Sequence, residues 1–144
     1  LVDRLPETWG IRVEVWKYVS GEIAARPWVG WGLDAARGMD QMIPFRGAMI
    51  DAVPLHPHSA SLQIWLETGA VGAALATGAV LAGGAAASNV LGAHPWQAAA
   101  ASGAIVSYAV LANVSYGAWQ EWWIAAAAFS AALIAASGPM TARS

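Results

Sequence analysis

Two histidines and a set of arginines are the residues in this chain best suited to chemistry. His56-Pro57-His58-Ser59 stands directly before a long apolar run. A helix that starts there exposes free N–H groups and carries partial positive charge at its first turn. Such an end attracts an anion and favours a neutral imidazole over a charged one. His58 is thereby placed to act as a general base at the mouth of a helix, with a phosphate against the same helix end and Ser59 as the cap. Spacing alone does not select it, because a single loop histidine beside a membrane is more often merely solvated. His-Pro-His also raises zinc. Two histidines are too few for a closed zinc site, and His94 falls in a connector on the other side of an apolar run, so no metal is expected.

Arg12 is the second candidate. It lies one helical turn before Trp16, a spacing that puts the guanidinium over that indole. The arginine fork suits bidentate contact with phosphate. A solvated charge on an amphipathic helix accounts for Arg12 equally well on spacing alone. Arg26, Arg37 and Arg46 are weaker candidates for substrate contact. Glu67 falls about two turns into the helix that Ser59 caps; buried in a bundle it needs a partner, and we read it as tying helices together rather than reacting. The chain has no Asp-x-Asp pair, no glycine-rich phosphate loop and no serine nucleophile elbow. That disfavours a metal-dependent enzyme acting on nucleotide sugars, and no cofactor is expected.

The elements that must hold these residues follow from composition. The chain has 144 residues, 58% hydrophobic and 11% charged, against about 25% charged in an ordinary soluble domain. Apart from Glu121 and Arg143, every charge lies between Asp3 and Glu67. Three charge-poor stretches follow, at about 66–87, 96–117 and 119–140, each near the ~20 residues that cross a bilayer as a helix. They are rich in Ala, Gly and Ser, which lets membrane helices approach closely. Trp65, Trp96, Trp119, Trp122 and Trp123 mark their ends, where an aromatic belt lies. A soluble alanine-rich bundle would need a polar face on each helix, and the second stretch offers only Ser102, Ser107, Asn113 and Ser115.

Before Glu67 the chain reads as an extramembrane region. Ile11, Val15, Val19 and Ile23 recur every fourth residue, which predicts a helix over 8–26 that ends before Pro27. Gly30-Trp31-Gly32 reads as a turn, a short helix is expected over 34–39, and 42–57 is expected to be irregular around Pro44, Pro54 and Pro57. The expected architecture is an all-α membrane protein: residues 1–61 a helical loop region, residues 62–144 three transmembrane helices and a short tail. The start Leu-Val-Asp-Arg, without Met or a signal pattern, reads as the C-terminal piece of a longer polytopic protein. A net charge of −2 gives no basic field for nucleic acid, and the absence of cysteine leaves no disulfide or thiolate site.

Three pieces in order resemble the signature of the O-antigen ligase and polymerase family. They are Arg12-x-x-x-Trp16, then Arg26-Pro27-Trp28-Val29-Gly30-Trp31-Gly32, then His56-Pro57-His58-Ser59-x-x-Leu62-x-x-x-x-Glu67-x-Gly69-x-x-Gly72. Gly117-Ala118-Trp119-Gln120-Glu121-Trp122-Trp123 resembles the closing segment of exopolysaccharide-type members. Ser59 departs from the asparagine usual there, yet still caps a helix. The resemblance implies a multi-spanning bacterial inner-membrane enzyme with a periplasmic loop and a cytoplasmic C-terminus. It implies transfer of a glycan from an undecaprenyl diphosphate carrier to a hydroxyl acceptor, either lipid A-core sugar or another carrier-linked glycan, without metal or nucleotide. The family's essential loop arginine and histidine map onto Arg12 and His58. Trp16, Glu67, Gly69 and Gly72 take structural roles, and this chain by itself is expected to be inactive. A repeat-unit polymerase is the near alternative to a ligase. A flippase or transporter would need polar groups along its spans, which are nearly absent here; a non-catalytic scaffold is the remaining alternative.

Overall fold

A computed structural model describes residues 2–92 and 94–137. Arg143 and the end of the third apolar stretch, 138–140, lie outside the described residues. Helix α1 (Glu7–Ala25) follows a short 3-10 turn (Val2–Arg4). Its apolar stripe faces inward: Val15 and Val19 are fully buried, with Ile11 and Ile23 packed at the margin of the same cluster. The helix stops at Arg26, as a residue before proline should. A 3-10 turn (Ala35–Gly38) supplies buried Ala36 to the core.

The 42–57 segment departs from expectation. It is not irregular throughout but contains a two-stranded antiparallel hairpin, β1 (Met42–Phe45) with β2 (Ala48–Asp51). The fold is therefore mostly rather than entirely helical. The two-residue turn is Arg46-Gly47, both with positive φ (47° and 86°). That is the backbone of a tight hairpin, but the usual Asn-Gly or Asp-Gly signal is missing. Arg46 is held there by donating to the carbonyls of Val2 (3.1 Å) and Leu5 (2.7 Å). Pro44 does not break the pairing. Phe45 and Ala48 close the turn as a hydrogen-bonded pair, so Pro44 opposite Met49 occupies a position where no ladder N–H is required.

Three apolar helices follow: α2 (Ala60–Leu91), α3 (Pro95–Val114) and α4 (Glu121–Ala136). Among the described residues, α2 and α3 are long and apolar enough to cross a membrane, while α4 is a shorter apolar helix of 16 residues. Large apolar side chains point outward along all three, among them Leu75, Leu81, Val106, Val110, Phe129 and Leu133. This is the surface of helices that meet lipid or further helices. The small core sits between α1, the 3-10 turn, Ala52 and Val53, and Leu66 of α2.

Candidate active site

The site is organised by a break in α2. Gly69 has φ 65° and ψ −169°, a conformation essentially confined to glycine, and it divides α2 into a first limb (60–68) and a second limb (70–91). The hydrogen bonds lost at the break are replaced by the 27–32 loop. Trp31 and Gly32 donate their N–H groups to the carbonyls of Leu66 and Glu67, both at 2.9 Å. In return Ala70 and Val71 donate to the carbonyls of Pro27 (2.8 Å) and Trp28 (3.2 Å). The backbones lie so close that a Cβ at Gly30 would collide with the Glu67 carbonyl, and one at Gly69 with the backbone of Trp28. Gly72 is confined in its turn by the Thr68 side chain, which donates to Ile64 O at 2.6 Å.

The break sets the position of the site. The second limb, 22 residues from 70 to 91, is ~33 Å long at ~1.5 Å per residue, and α3, with 20 residues, is ~30 Å long. The two are thus nearly equal in length, each close to the ~30 Å thickness of a hydrocarbon layer. His58 precedes Gly69 by eleven residues, and a straight α2 would carry it ~16 Å beyond Gly69 along the helix axis. Instead His58 bonds to Ser115, at the end of α3. The first limb turns away at Gly69 and brings its N-terminus against the end of α3.

At that N-terminus Ser59 is the cap, accepting from Leu62 N at 3.4 Å, and it is buried beside Asn113 of α3. His58 turns the chain into the helix with φ 54°, a left-handed conformation that histidine tolerates better than most side chains. Its Nδ1 lies 3.2 Å from the Ser115 carbonyl. A carbonyl only accepts, so Nδ1 donates, and in the neutral ring Nε2 then keeps its lone pair. That is the tautomer a general base requires. Arg12 Nη1 donates to the neighbouring carbonyl, Val114 O. Arginine and histidine thus converge on consecutive carbonyls at the C-terminal end of α3.

The stacking expected between Arg12 and Trp16 does not form. The Arg12 guanidinium lies over Trp9 instead, 5.0 Å from the ring centroid. Helical side chains lean toward the N-terminus, so the partner is one turn before Arg12 rather than one turn after. Trp16 is used otherwise: its Nε1 donates to Pro57 O at 2.8 Å and fastens the His-Pro-His loop to α1.

His56 packs edge-on against His58, ring centroids 4.6 Å apart, and both of its nitrogens are occupied. Nδ1 accepts from His58 N at 3.2 Å, which puts the proton of a neutral ring on Nε2. Nε2 faces the Gln120 amide at 3.2 Å. With the amide nitrogen toward His56, Gln120 Oε1 is buried without a partner. The opposite amide orientation lets Oε1 accept from His56 Nε2 and removes the unmatched N-to-N contact, and we assign it so. Burial lowers the pKa of His56, and the nearby His58, Arg12 and Arg37 lower it further.

Behind the histidines lies a polar stripe not anticipated from the sequence. Ser59, Gln63 and Glu67 recur every fourth residue on one face of the first limb. Gln63 and Glu67 are 4% and 1% exposed, yet fully engaged. Gln63 Nε2 donates to Glu67 Oε1 at 3.0 Å, and Ala118 N donates to Gln63 Oε1 at 2.8 Å. Trp119 Nε1 donates to Glu67 Oε2. The connector from α3 to α4 is thereby clamped to α2, and it is this connector that presents Ser115 O to His58 and Gln120 to His56. A Cβ at Gly117 would crowd both Gln63 and His56.

The remaining arginines are dispersed. Arg37 is close enough to act on His56 electrostatically and pairs with Asp34 at 3.0 Å. Arg26 stacks on Trp31, 4.0 Å from its centroid, and Arg46 sits at the hairpin turn. The structure thus gathers Arg12, His56, His58 and Ser59, with Arg37 near them, and holds Arg26 and Arg46 in other contacts. Among the described residues no group of three or more His, Cys, Asp or Glu is placed to hold a metal.

Residues 3–77 match the O-Antigen ligase family. This matched segment covers just over half of the chain and includes the whole array from Arg12 to Gly72. The chain belongs to the O-antigen ligase family. It is similar to proteins named "Putative polysaccharide ligase" from Rickettsia prowazekii (strain Madrid E), 34% identical over 117 residues, and from Rickettsia typhi (strain ATCC VR-144 / Wilmington), 32% identical over 117 residues. In both cases the match covers 78% of this chain and 28% of the relative. The chain therefore spans little more than a quarter of the length of the curated relatives it matches. No solved structure matches it. Within this O-antigen ligase family chain, the loop motif and the Gly69 motif are two sides of one helix break.

Proposed function

We propose that the protein to which this chain belongs transfers a glycan from an undecaprenyl diphosphate carrier to a hydroxyl acceptor, on the periplasmic side of the bacterial inner membrane. The observation that carries this reading is the convergence of Arg12 and His58, at the capped N-terminus of α2, on consecutive carbonyls at the end of α3. With α2 and α3 crossing the membrane, that end lies at the lipid boundary, where a lipid-linked diphosphate presents its phosphates. One guanidinium donor of Arg12 is engaged with Val114; of the five an arginine carries, others are available to grip phosphate oxygens. The helix N-terminus adds its partial positive charge.

In the proposed step the acceptor oxygen attacks the anomeric carbon of the donor sugar. A carbon–oxygen bond to the acceptor forms while the bond from that carbon to the diphosphate oxygen breaks. The electron pair leaves with the diphosphate, and its growing charge is stabilised by Arg12 and the helix end. The acceptor proton passes to His58 Nε2. Arginine supplies the positive charge that faces the anionic leaving group, so the proposed step uses no metal. The acceptor is lipid A-core sugar for a ligase and a carrier-linked glycan for a polymerase; the names of the relatives favour the ligase.

The test is glycan transfer by the full-length protein at matched expression. His58→Ala should lower the rate by ~10²–10⁴-fold, the usual worth of a general base. His56→Ala should act more mildly, since His56 positions its neighbour. A dead His56→Ala beside an active His58→Ala would overturn the assignment. Arg12→Lys keeps the charge and loses the fork; strong loss of transfer with normal expression is expected, and near-wild-type activity would remove the diphosphate grip.

A further inference from the structure

The loop that repairs the α2 break has an apolar tip with no role in that repair. Its bonds to α2 are made by backbone atoms of Pro27, Trp28, Trp31 and Gly32. The side chains of Trp28, Val29 and Leu33 point away and are 70%, 73% and 72% exposed. A polar shoulder stands on each side of the tip. Arg26 is stacked on Trp31, and Asp34 is paired with Arg37.

We propose that the 28–33 loop is an interfacial wedge, inserting Trp28, Val29 and Leu33 into the headgroup and upper acyl region of the lipid bilayer. Three observations select lipid as the occupant. First, the loop's depth is fixed: Pro27 and Trp28 bond to Ala70 and Val71, the first residues of the limb that spans the membrane. The tip therefore lies at the lipid boundary wherever that limb does. Second, part of the loop's backbone is already bonded within the protein, which lowers the cost of leaving water. Here Trp31 N and Gly32 N donate to α2, Gly30 N donates to Arg26 O at 3.2 Å, and the carbonyls of Pro27 and Trp28 accept from α2. Pro27 has no N–H to satisfy. Third, the tip carries a tryptophan between charged shoulders, the arrangement suited to a headgroup boundary. The wedge rests on α2 spanning a bilayer and not on the glycan chemistry.

Nitroxide labels decide the matter. Single cysteines at Val29, Leu33, Gly21 and Leu81 are introduced into a cysteine-free form of the full-length protein, reconstituted in phospholipid vesicles. The first two side chains are exposed, so labelling them leaves the fold intact. Collision with oxygen, which concentrates in lipid, is compared with collision with a water-soluble nickel chelate. Labels at 29 and 33 should favour oxygen, whereas Gly21, on the open face of α1, should favour the chelate. Labels at 29 and 33 that behave like Gly21 would overturn the wedge. Exclusion of both reagents there would overturn it as well, since the tip would then be covered by protein. A label at Leu81 that favours the chelate would remove the span and the wedge together, leaving the chemistry of Arg12 and His58 to be judged by transfer alone.

Discussion

The two limbs of α2 share one helix in name and little else. In the first limb every fourth residue is polar and buried, and Gln63 and Glu67 bond across to a different element. In the second limb most described side chains are apolar and exposed, and the hydroxyls of Thr77 and Ser88 bond back to their own helix, to Ala73 O and Ala85 O. The first limb is fixed by specific partners; the second is specified only by length and apolarity. The difference shows where precision is spent. The proposed chemistry needs the N-terminus of α2 held against the end of α3, and polar residues concentrate there, while a membrane-crossing limb would need only to reach across.

The sharpest way to break this contrast is to put the same substitution in both limbs. Gly69→Ala adds a Cβ against the Trp28 backbone at a φ of 65°. Such strained backbone costs about 1–3 kcal/mol before the collision is counted. The loop should undock, and the full-length protein should lose its thermal midpoint and its transfer activity. Gly78→Ala meets nothing within 4 Å and removes a flexible residue from a helix, so it should be neutral or slightly stabilising. Equal behaviour of the two variants in a thermal-shift measurement would mean that the break is not a constraint.

A smaller effect is expected at the clamp. Glu67→Ala leaves the Trp119 indole N–H and the Gln63 amide without their acceptor in a buried place, a cost of about 1–3 kcal/mol. Transfer should fall with stability, because the connector presenting Ser115 O to His58 is released. Glu67→Gln keeps one acceptor oxygen and should retain more of both. If Glu67→Ala keeps full stability but abolishes transfer, Glu67 reacts rather than clamps.

Much of this was legible in the sequence. Helix α1, its stop at Arg26, the 3-10 turn and the Ser59 cap all follow from local signals: a four-residue apolar stripe, a proline, a cap beside an apolar run. The hairpin was hidden because Arg46 takes a turn position where Asn or Asp would have announced it. The Arg12–Trp9 stack was hidden because spacing alone does not choose between the turn before and the turn after. The clamp of Gln63, Glu67 and Trp119 joins residues 52 or more positions apart. Its one local trace was the spacing of Ser59, Gln63 and Glu67. The break at Gly69 was written as two glycine motifs, 27–32 and 69–72, but their mutual docking is a tertiary fact.

The smallest expected effect concerns pH, and it follows from the surroundings of His56. His56 has its pKa lowered, first by burial and then by His58, Arg12 and Arg37. The folded protein thus prefers the neutral ring more than the unfolded chain does, whose histidine titrates near ~6.5. Between the unfolded and the folded pKa the unfolded chain binds the extra proton, so stability rises with pH in that window. The contribution of His56 is present above ~6.5 and is lost as pH falls toward and through its lowered value. Protonation would also displace the His58 N–H from His56 Nδ1, since a charged ring only donates. The full-length protein in detergent should show a lower thermal midpoint at acidic than at neutral pH, and His56→Gln should flatten part of that slope. Because His56 is only half-buried, the change should be modest. A slope unchanged in His56→Gln would assign the acid sensitivity to other groups and leave His56 as a spacer beside His58.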